Sequence, residues 1–179
     1  MKPLLINKKG VLRYPVVFIL LGLLLPLGGC LDDVEDYAKE EEEAINKYVE
    51  DNDITVQPTE SGLYYIETKE GDGRQPVEGD SVRVNFIRKN LAGYILETNI
   101  ESVAMEYSIW SSYVTYTPFG FCVGSINIIE GLNEGLTYMK KGGEATLLLP
   151  SSIAFHDYRS LLYEIILLDV VGQDSLQIK

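Results

Sequence analysis

The chain has 179 residues with a formal net charge of −12, and 46% of them are hydrophobic, which suffices for one folded core. The acidic balance argues against nucleic-acid binding, because phosphate recognition needs clustered Lys and Arg. There is one histidine and there are two cysteines, so neither a metal-ligand spacing nor a nucleophilic triad is present. We therefore expect no metal and no other cofactor. We interpret His156 as a turn residue and Cys122, inside an apolar strand, as a buried and unreactive thiol.

Residues 1–29 have the pattern of a lipoprotein signal peptide. A basic start precedes the apolar run from Val16 to Leu25, which is too short to cross a bilayer as a helix. Leu27-Gly28-Gly29-Cys30 follows and resembles a bacterial lipobox, in which the cysteine is lipidated and becomes the mature N-terminus. This resemblance predicts Cys30 as the lipidated residue and the lipid as the membrane anchor. The alternative is an ordinary secretory signal with an incidental cysteine.

The chain that begins at Cys30 is strongly acidic. Four of the 15 Lys and Arg residues and none of the 27 Asp and Glu residues precede Cys30, so the remainder has a net charge of −16. Such a charge disfavours direct binding to anionic headgroups, which leaves anchoring to the lipid. Leu31-Asp32-Asp33 resembles the acidic export signal of Bacteroidetes surface lipoproteins, and the alternative is the start of an acidic tether. We expect a cell-envelope protein anchored in the outer membrane, and a surface-exposed one if the export signal is real.

An amphipathic helix of about five turns is predicted from Asp32 to Asn52, because its apolar residues recur at spacings of three and four. Only Glu41 interrupts this apolar stripe. Burial of the stripe leaves three alternatives: packing on the following domain, packing on a second copy, or a plain spacer. We favour the first or the third. The helix and its linker form residues 30–60, and one domain is expected over residues 61–179.

Predicted strands outnumber helices in the region after residue 60. Tyr163–Val170 is an almost unbroken apolar run, which predicts a central position in the sheet. The class is α+β, with an antiparallel sheet curled around one short helix. The predicted strands are Leu63–Thr68, Ser81–Arg88, Tyr94–Thr98, Phe119–Val123, Glu144–Leu149 and Tyr163–Val170.

Nineteen residues lie between Thr98 and Pro118, and four of them are aromatic. Tyr113 to Tyr116 are good strand formers, so we favour an extension of a strand. The alternative is that residues 99–117 form a contact surface for another envelope protein, because Tyr and Trp dominate the energetics of interfaces.

The stretch from Pro118 to Pro150 carries the most specific pattern in the chain. Apolar residues alternate with smaller ones from Phe119 to Val123, which predicts a half-buried strand. Apolar residues from Ile128 to Met139 then recur at helical spacing, and Gly142–Gly143 end the helix before the strand Glu144–Leu149.

This order of residues resembles the core of FKBP-type peptidyl-prolyl isomerases. The likeness extends weakly over residues 61–171 and implies an FKBP-like sheet wrapped around the short helix. The matching positions follow one another without gaps and are Pro118, Phe119, Phe121, Gly124, Ile128, Ile129, Gly131, Glu134, Gly135, Leu136, Met139, Gly142 and Pro150.

The same resemblance implies a substrate pocket. The positions that it assigns to catalysis are Phe86, Glu97, Phe119, Ile129 and Phe155, and the backbone N–H of Ile129 would hold the substrate. The further wall positions are Leu96, Ile128, Leu132 and Tyr163. Phe86 and Phe155 stand where the family has tyrosine, and Leu132 stands where it has tryptophan. Only His156 to Ser160 separate Phe155 from the last strand, where the family has a longer capping loop.

An isomerase of this kind needs neither a nucleophile nor a metal. Its substrate is the X–Pro amide, whose barrier to rotation is about 20 kcal/mol because of partial double-bond character. Rotation reduces the charge separation of the amide, so an apolar pocket that excludes water favours the twisted state. The expected function is a lipid-anchored FKBP-type isomerase, or folding helper, that acts on proline-containing segments. The alternative is an FKBP-like binding lipoprotein with weak or no catalysis, which the departures from the pattern favour.

Overall fold

The computed structural model describes residues 32–173, so the predicted signal peptide and Cys30 lie outside the described residues. The described residues divide into two units, with the boundary between Lys39 and Glu40. The helices are α1 (Asp32–Asp51), α2 (Glu101–Glu106) and α3 (Glu130–Tyr138), with a short 3₁₀ turn at Ser151–Ile153. The strands are β1 (Tyr64–Lys69), β2 (Ser81–Asn90), β3 (Ile95–Thr98), β4 (Phe119–Cys122), β5 (Glu144–Leu149) and β6 (Leu161–Val171).

The strands form one antiparallel sheet in the order β1-β5-β6-β2-β3, with β4 also paired to β2. Strand β6 lies between β5 and β2, which confirms the central position that its apolar run predicts. The other edge of β2 is shared, because Ser81–Val84 pair with β4 and Ile87–Lys89 pair with β3. The predicted α+β class, with a sheet around a short helix, is confirmed.

Helix α3 packs closely on the inner face of the sheet because two of its residues have no side chain. A Cβ atom at Gly131 would lie 2.6 Å from Cδ2 of Leu149, and one at Gly135 would lie 2.4 Å from Cδ1 of Leu147. Both distances are far inside van der Waals contact, so a side chain at either position would force the fully buried Leu149 or Leu147 side chain to move. Leu136 of the same helix is completely buried.

From Glu40 onward, α1 covers the opposite face of β5 and β6. Ile45 is 8% exposed and packs with Leu148 and Leu162, which point away from α3. Tyr48 and Val49 pack around the edge of this cluster. Of the three alternatives for the apolar stripe, the structure supports packing on the following domain. The boundary at residue 60 stays a prediction.

Three local predictions were wrong. Helix α3 begins at Glu130, so Ile128 and Ile129 precede it, because Ile129 has the extended ψ of 143°. The segment around Tyr113 is not a strand: it turns back on itself, and the Tyr116 hydroxyl accepts a hydrogen bond from the backbone N–H of Ser111 at 2.9 Å. Cys122 is exposed because β4 is an edge strand on which Phe121, its neighbour, faces the core.

Among residues 32–173, no helix has both the length and the apolar character that crossing a membrane requires. Within the same range, no group of His, Cys, Asp and Glu side chains could hold a metal ion. His156 has a φ of 55° and lies in a turn.

We expect Ile45→Ala to lower the free energy of unfolding by about 2–4 kcal/mol, because it removes a buried side chain from the contact between α1 and the sheet. Urea unfolding followed by circular dichroism measures the change. Asn46→Ala is the matched control, since Asn46 is exposed on the neighbouring face of the same helix. Equal stability of the two variants would mean that α1 does not pack on the sheet in solution.

Candidate active site

A cavity of about 420 Å³ opens on the inner side of the sheet, at the N-terminus of α3. Its walls come from β2, β3, β4, β6 and the start of α3, from the connections on either side of β4, and from the connection between β5 and β6. The lining residues are Val84, Phe86, Arg88, Glu97, Thr98, Asn99, Val114, Thr115, Thr117, Pro118, Phe119, Gly120, Asn127, Ile128, Ile129, Leu132, Phe155 and Tyr163.

Every site residue that the sequence predicts lines this cavity except Leu96. Leu96 lies on β3 next to Glu97, and its side chain is 48% exposed. Leu96 is absent from the cavity lining, whereas the next two residues of β3, Glu97 and Thr98, belong to it. The prediction of Leu96 as a wall residue is therefore corrected.

Aromatic rings form the inner wall. The centroid of the Phe86 ring lies 6.4 Å from that of Phe119, edge to face, and 6.0 Å from that of Tyr163. Phe119 comes from β4 and is held beside β2 because it pairs with Val84. Tyr163 and Leu132 are buried at the base, whereas Phe119 and Phe155 are 42% and 49% exposed at the rim. A ligand therefore meets exposed rings first and a closed apolar base behind them.

The backbone N–H of Ile129 lies at the N-terminus of α3. Ile129 is the N-cap residue of the helix, where N–H groups have no partner within the helix. Within residues 32–173, this N–H donates no hydrogen bond. Asn133 fixes the approach to it: its Nδ2 donates to the carbonyl oxygens of Ser125 and Ile128, at 3.1 and 3.2 Å. A free donor is thereby held at the edge of an apolar cavity.

Asn99 ties the connection before β4 to β2. Its Oδ1 accepts from the backbone N–H of Phe86 at 2.8 Å, and its Nδ2 donates to the carbonyl oxygens of Val84 and Thr117 at 2.9 and 3.0 Å. Asn99 is thus the residue that brings residues 114–118 to the cavity. Sequence reasoning missed its role, because no local pattern marks a side chain that bonds across strands.

Arg88 is a cation in this largely apolar site, and sequence reasoning did not select it. Its Nη2 lies 2.9 Å from Oε2 of Glu97, and its guanidinium carbon lies 5.4 Å from the centroid of the Phe155 ring. Its Nε is buried and has no hydrogen-bond partner within the described residues. The alternation of side chains along a strand could have identified it, because Arg88 follows Phe86 by two positions on β2 and therefore shares its face.

Burial keeps the phenol of Tyr163 neutral at the base of the cavity. Burial raises the pKa of Tyr163, and the nearby positive charge of Arg88 opposes that rise. The charge of Arg88 is in turn balanced by Glu97 at the mouth of the cavity. The base therefore presents rings and one neutral hydroxyl, a surface that suits an apolar group such as a proline ring.

Chemically, the arrangement can bind an apolar segment, exclude water from it and donate one hydrogen bond to a carbonyl. Aromatic rings line the cavity, and Ile129, whose backbone N–H has no hydrogen-bond acceptor within the described residues, lies among its lining residues. These are the means by which rotation about an amide is made easier without covalent chemistry.

Comparison with known proteins agrees with this geometry. The family model described as FKBP-type peptidyl-prolyl cis-trans isomerase matches residues 72–165, more than half of the chain. The chloroplastic peptidyl-prolyl cis-trans isomerase FKBP16-1 of Arabidopsis thaliana is 33% identical over 95 residues, which cover 53% of this chain and 42% of that protein. The probable FKBP-type isomerase FkpA of Neisseria meningitidis is 32% identical over 102 residues, which cover 57% of this chain and 32% of that protein. The chain thus spans less than half the length of these relatives.

Solved structures show the same fold. The crystal structure of FkpA from Escherichia coli superposes with a TM-score of 0.60 at 23% identity, covering 79% of this chain and 62% of that one. A peptidyl-prolyl cis-trans isomerase from Pseudomonas syringae gives a TM-score of 0.58 at 22% identity, covering 77% of this chain and 96% of that one. The family match runs from before β2 into the first half of β6 and includes every residue that lines the cavity, and the chain belongs to the FKBP-type peptidyl-prolyl cis-trans isomerase family.

Proposed function

We propose that this chain catalyses cis–trans isomerisation of X–Pro bonds in polypeptides and that the cavity between β2 and α3 is its active site. The observation that carries the proposal is the free N–H of Ile129 beside a wall of aromatic rings. Family membership supports the reaction type. Family membership also supports the substrate class, and an apolar cavity with a free N–H beside it suits a proline ring and a carbonyl.

In this proposal the proline ring enters past Phe119 and Phe155 and rests against Phe86, Tyr163 and Leu132. The N–H of Ile129 donates to a carbonyl of the substrate and fixes the chain on one side of the amide bond that rotates. As the amide twists it loses charge separation, so the apolar wall penalises the planar state more than the twisted one. Glu97 forms an ion pair with Arg88 at the entrance of the cavity, so that no unpaired charge faces the amide of the substrate.

A second function is binding without efficient turnover. The observation that favours it is the rim: Phe155 is about half exposed, and a short connection of five residues leads from it to β6. A site open to solvent excludes water less completely, so the energetic advantage of the twisted amide is smaller. Such a protein would hold proline-containing segments as a folding helper or as part of an assembly.

We also propose that the chain is lipid-anchored in the cell envelope through Cys30. The support is the lipobox-like Leu27-Gly28-Gly29-Cys30 after a short apolar run and the acidic composition after it. The exposed side chains Tyr107, Trp110 and Tyr113 support residues 99–117 as a contact surface for an envelope protein.

We expect Phe119→Ala to lower kcat/KM for a proline peptide by about tenfold or more, because the ring that closes the rim and contacts Phe86 is lost. A protease-free NMR exchange assay measures the rate. Tyr94→Ala is the control, since Tyr94 is an exposed aromatic residue outside the cavity lining. Equal rates in both variants would place catalysis elsewhere.

Restoring the two hydroxyls of the family pattern separates catalysis from binding. We expect the double variant Phe86→Tyr, Phe155→Tyr to raise kcat/KM if the cavity is a weakened catalytic site, because each ring regains a polar tip at the edge of the substrate amide. The same NMR exchange assay compares it with the wild type. If neither protein exceeds the uncatalysed rate while both bind a proline peptide, the binding function is correct.

We expect Cys30→Ser to abolish incorporation of a fatty-acid analogue and to leave the protein unprocessed or released from the membrane. Metabolic labelling of cells that express the full chain tests this. Cys122→Ser is the matched control, because Cys122 is the other cysteine of the chain. Label that persists in Cys30→Ser and disappears in Cys122→Ser contradicts the assignment.

A further inference from the structure

Glu41 of α1 bonds to both ends of the connection between β5 and β6. Its Oε1 accepts hydrogen bonds from the backbone N–H of Ser151 and from the hydroxyl of Ser160, each at 2.7 Å. Its Oε2 accepts from the hydroxyl of Ser151 at 2.6 Å. The two serines are 4% and 7% exposed, so these hydrogen bonds are buried. The carboxylate of Glu41 therefore bridges the two ends of residues 151–160. This loop, residues 151–160, carries Phe155.

The loop depends on external support because its own backbone is strained. His156 and Tyr158 have φ angles of 55° and 59°, in the left-handed region that bulky side chains rarely adopt. Such conformations persist only where surrounding contacts hold them. Phe155 directly precedes the first of these positions; its ring lines the cavity and contacts the guanidinium of Arg88.

We propose that Glu41 is a positioning residue for the cavity: by fixing residues 151 and 160 it sets the place of Phe155 at the rim. The proposal rests on the proposed function in that the cavity is taken as the substrate site. It accounts for the one polar interruption of the apolar stripe of α1. An apolar residue at that position would complete the stripe but would leave three buried donors without an acceptor.

The bond pattern predicts which substitutions Glu41 tolerates. Glutamine has the same shape; its Oε1 can accept from the N–H of Ser151 and the hydroxyl of Ser160, and its Nε2 can donate to the hydroxyl of Ser151, which rotates to receive it. Alanine provides no acceptor, so the N–H of Ser151 and both hydroxyls lose their partner in a buried place. Shape and hydrogen bonding, rather than charge, are therefore what the loop requires.

Asp80 offers a matched control for Glu41→Ala. It is also a carboxylate that ties a loop together: it is 2% exposed and accepts from Arg74 at 2.7 and 2.9 Å and from the N–H of Val77 at 3.0 Å. It lies just before β2, at the end of the sheet away from Asn90, which pairs with Leu161 next to Ser160. Asp80→Ala thus breaks a similar buried network without touching the loop of Phe155.

The experiment compares Glu41→Ala, Glu41→Gln and Asp80→Ala in the full chain under native conditions. Amide hydrogen exchange of residues 152–159, followed by mass spectrometry, reports the loop directly and needs no catalytic activity. Affinity for a proline tetrapeptide and kcat/KM by NMR exchange report the cavity. Urea unfolding of each variant shows how far global stability accounts for the changes.

We expect Glu41→Ala to speed exchange in residues 152–159 by about tenfold or more and to weaken peptide affinity and kcat/KM by a similar factor. Glu41→Gln stays within about threefold of the wild type in all three measurements, and Asp80→Ala loses stability without these changes. If Glu41→Ala and Asp80→Ala alter loop exchange equally, or if the loop loosens while affinity and kcat/KM are unchanged, the proposal is overturned. A wild type that binds the peptide but shows no turnover contradicts only the isomerase function, and exchange and affinity still decide the role of Glu41.

Discussion

The antiparallel pairing of β2 with β6 is the constraint on which the rest of this structure depends. Its register sets Arg88 opposite Tyr163 and Phe86 opposite Ile165, and the alternation of side chains turns Phe86, Arg88 and Tyr163 to the same inner face. A shift of one residue would exchange the two faces of a strand. The hydrophobic core and the cavity therefore depend on one register, and neither can be assembled without the other.

Both faces of this sheet are covered, which explains the composition of its central strands. Leu147 and Leu149 face α3, whereas Leu148 between them faces α1, and all three are fully buried. Strands covered on both sides are apolar at every position rather than at every second one. The outer helix thus does more than join the domain to what precedes it, because it completes the core of the strand that leads into residues 151–160.

An apolar cavity is held in shape here by polar groups around it. Apolar contacts are not directional, so they do not by themselves fix where a ring stands. Asn99 holds the connection before β4, Asn133 holds the turn before α3, and Glu41 holds the loop of Phe155. In the isomerase that we propose, which would act by surrounding an amide instead of reacting with it, the precision of the walls is the main contribution of the protein.

The sequence by itself determined the class of fold, the central place of β6 and the short helix between two strands. Those features are local and follow from the periodicity of apolar residues. The resemblance to a known family, which is strongest between Pro118 and Pro150, added eight of the eighteen residues that line the cavity. The sequence also showed that Glu41 is the one polar residue in the apolar stripe of α1, but it did not show why a polar residue stands there. Tertiary structure alone decided that Glu41 meets Ser151 and Ser160, that Arg88 balances Glu97, that Leu96 turns outward and that Tyr113 leaves the sheet. The two contacts depend on how separate elements of the chain pack together. The two placements depend on which edge of the sheet remains unpaired. A one-dimensional pattern carries no information about such partners, because strand pairing and helix packing set the distances between them.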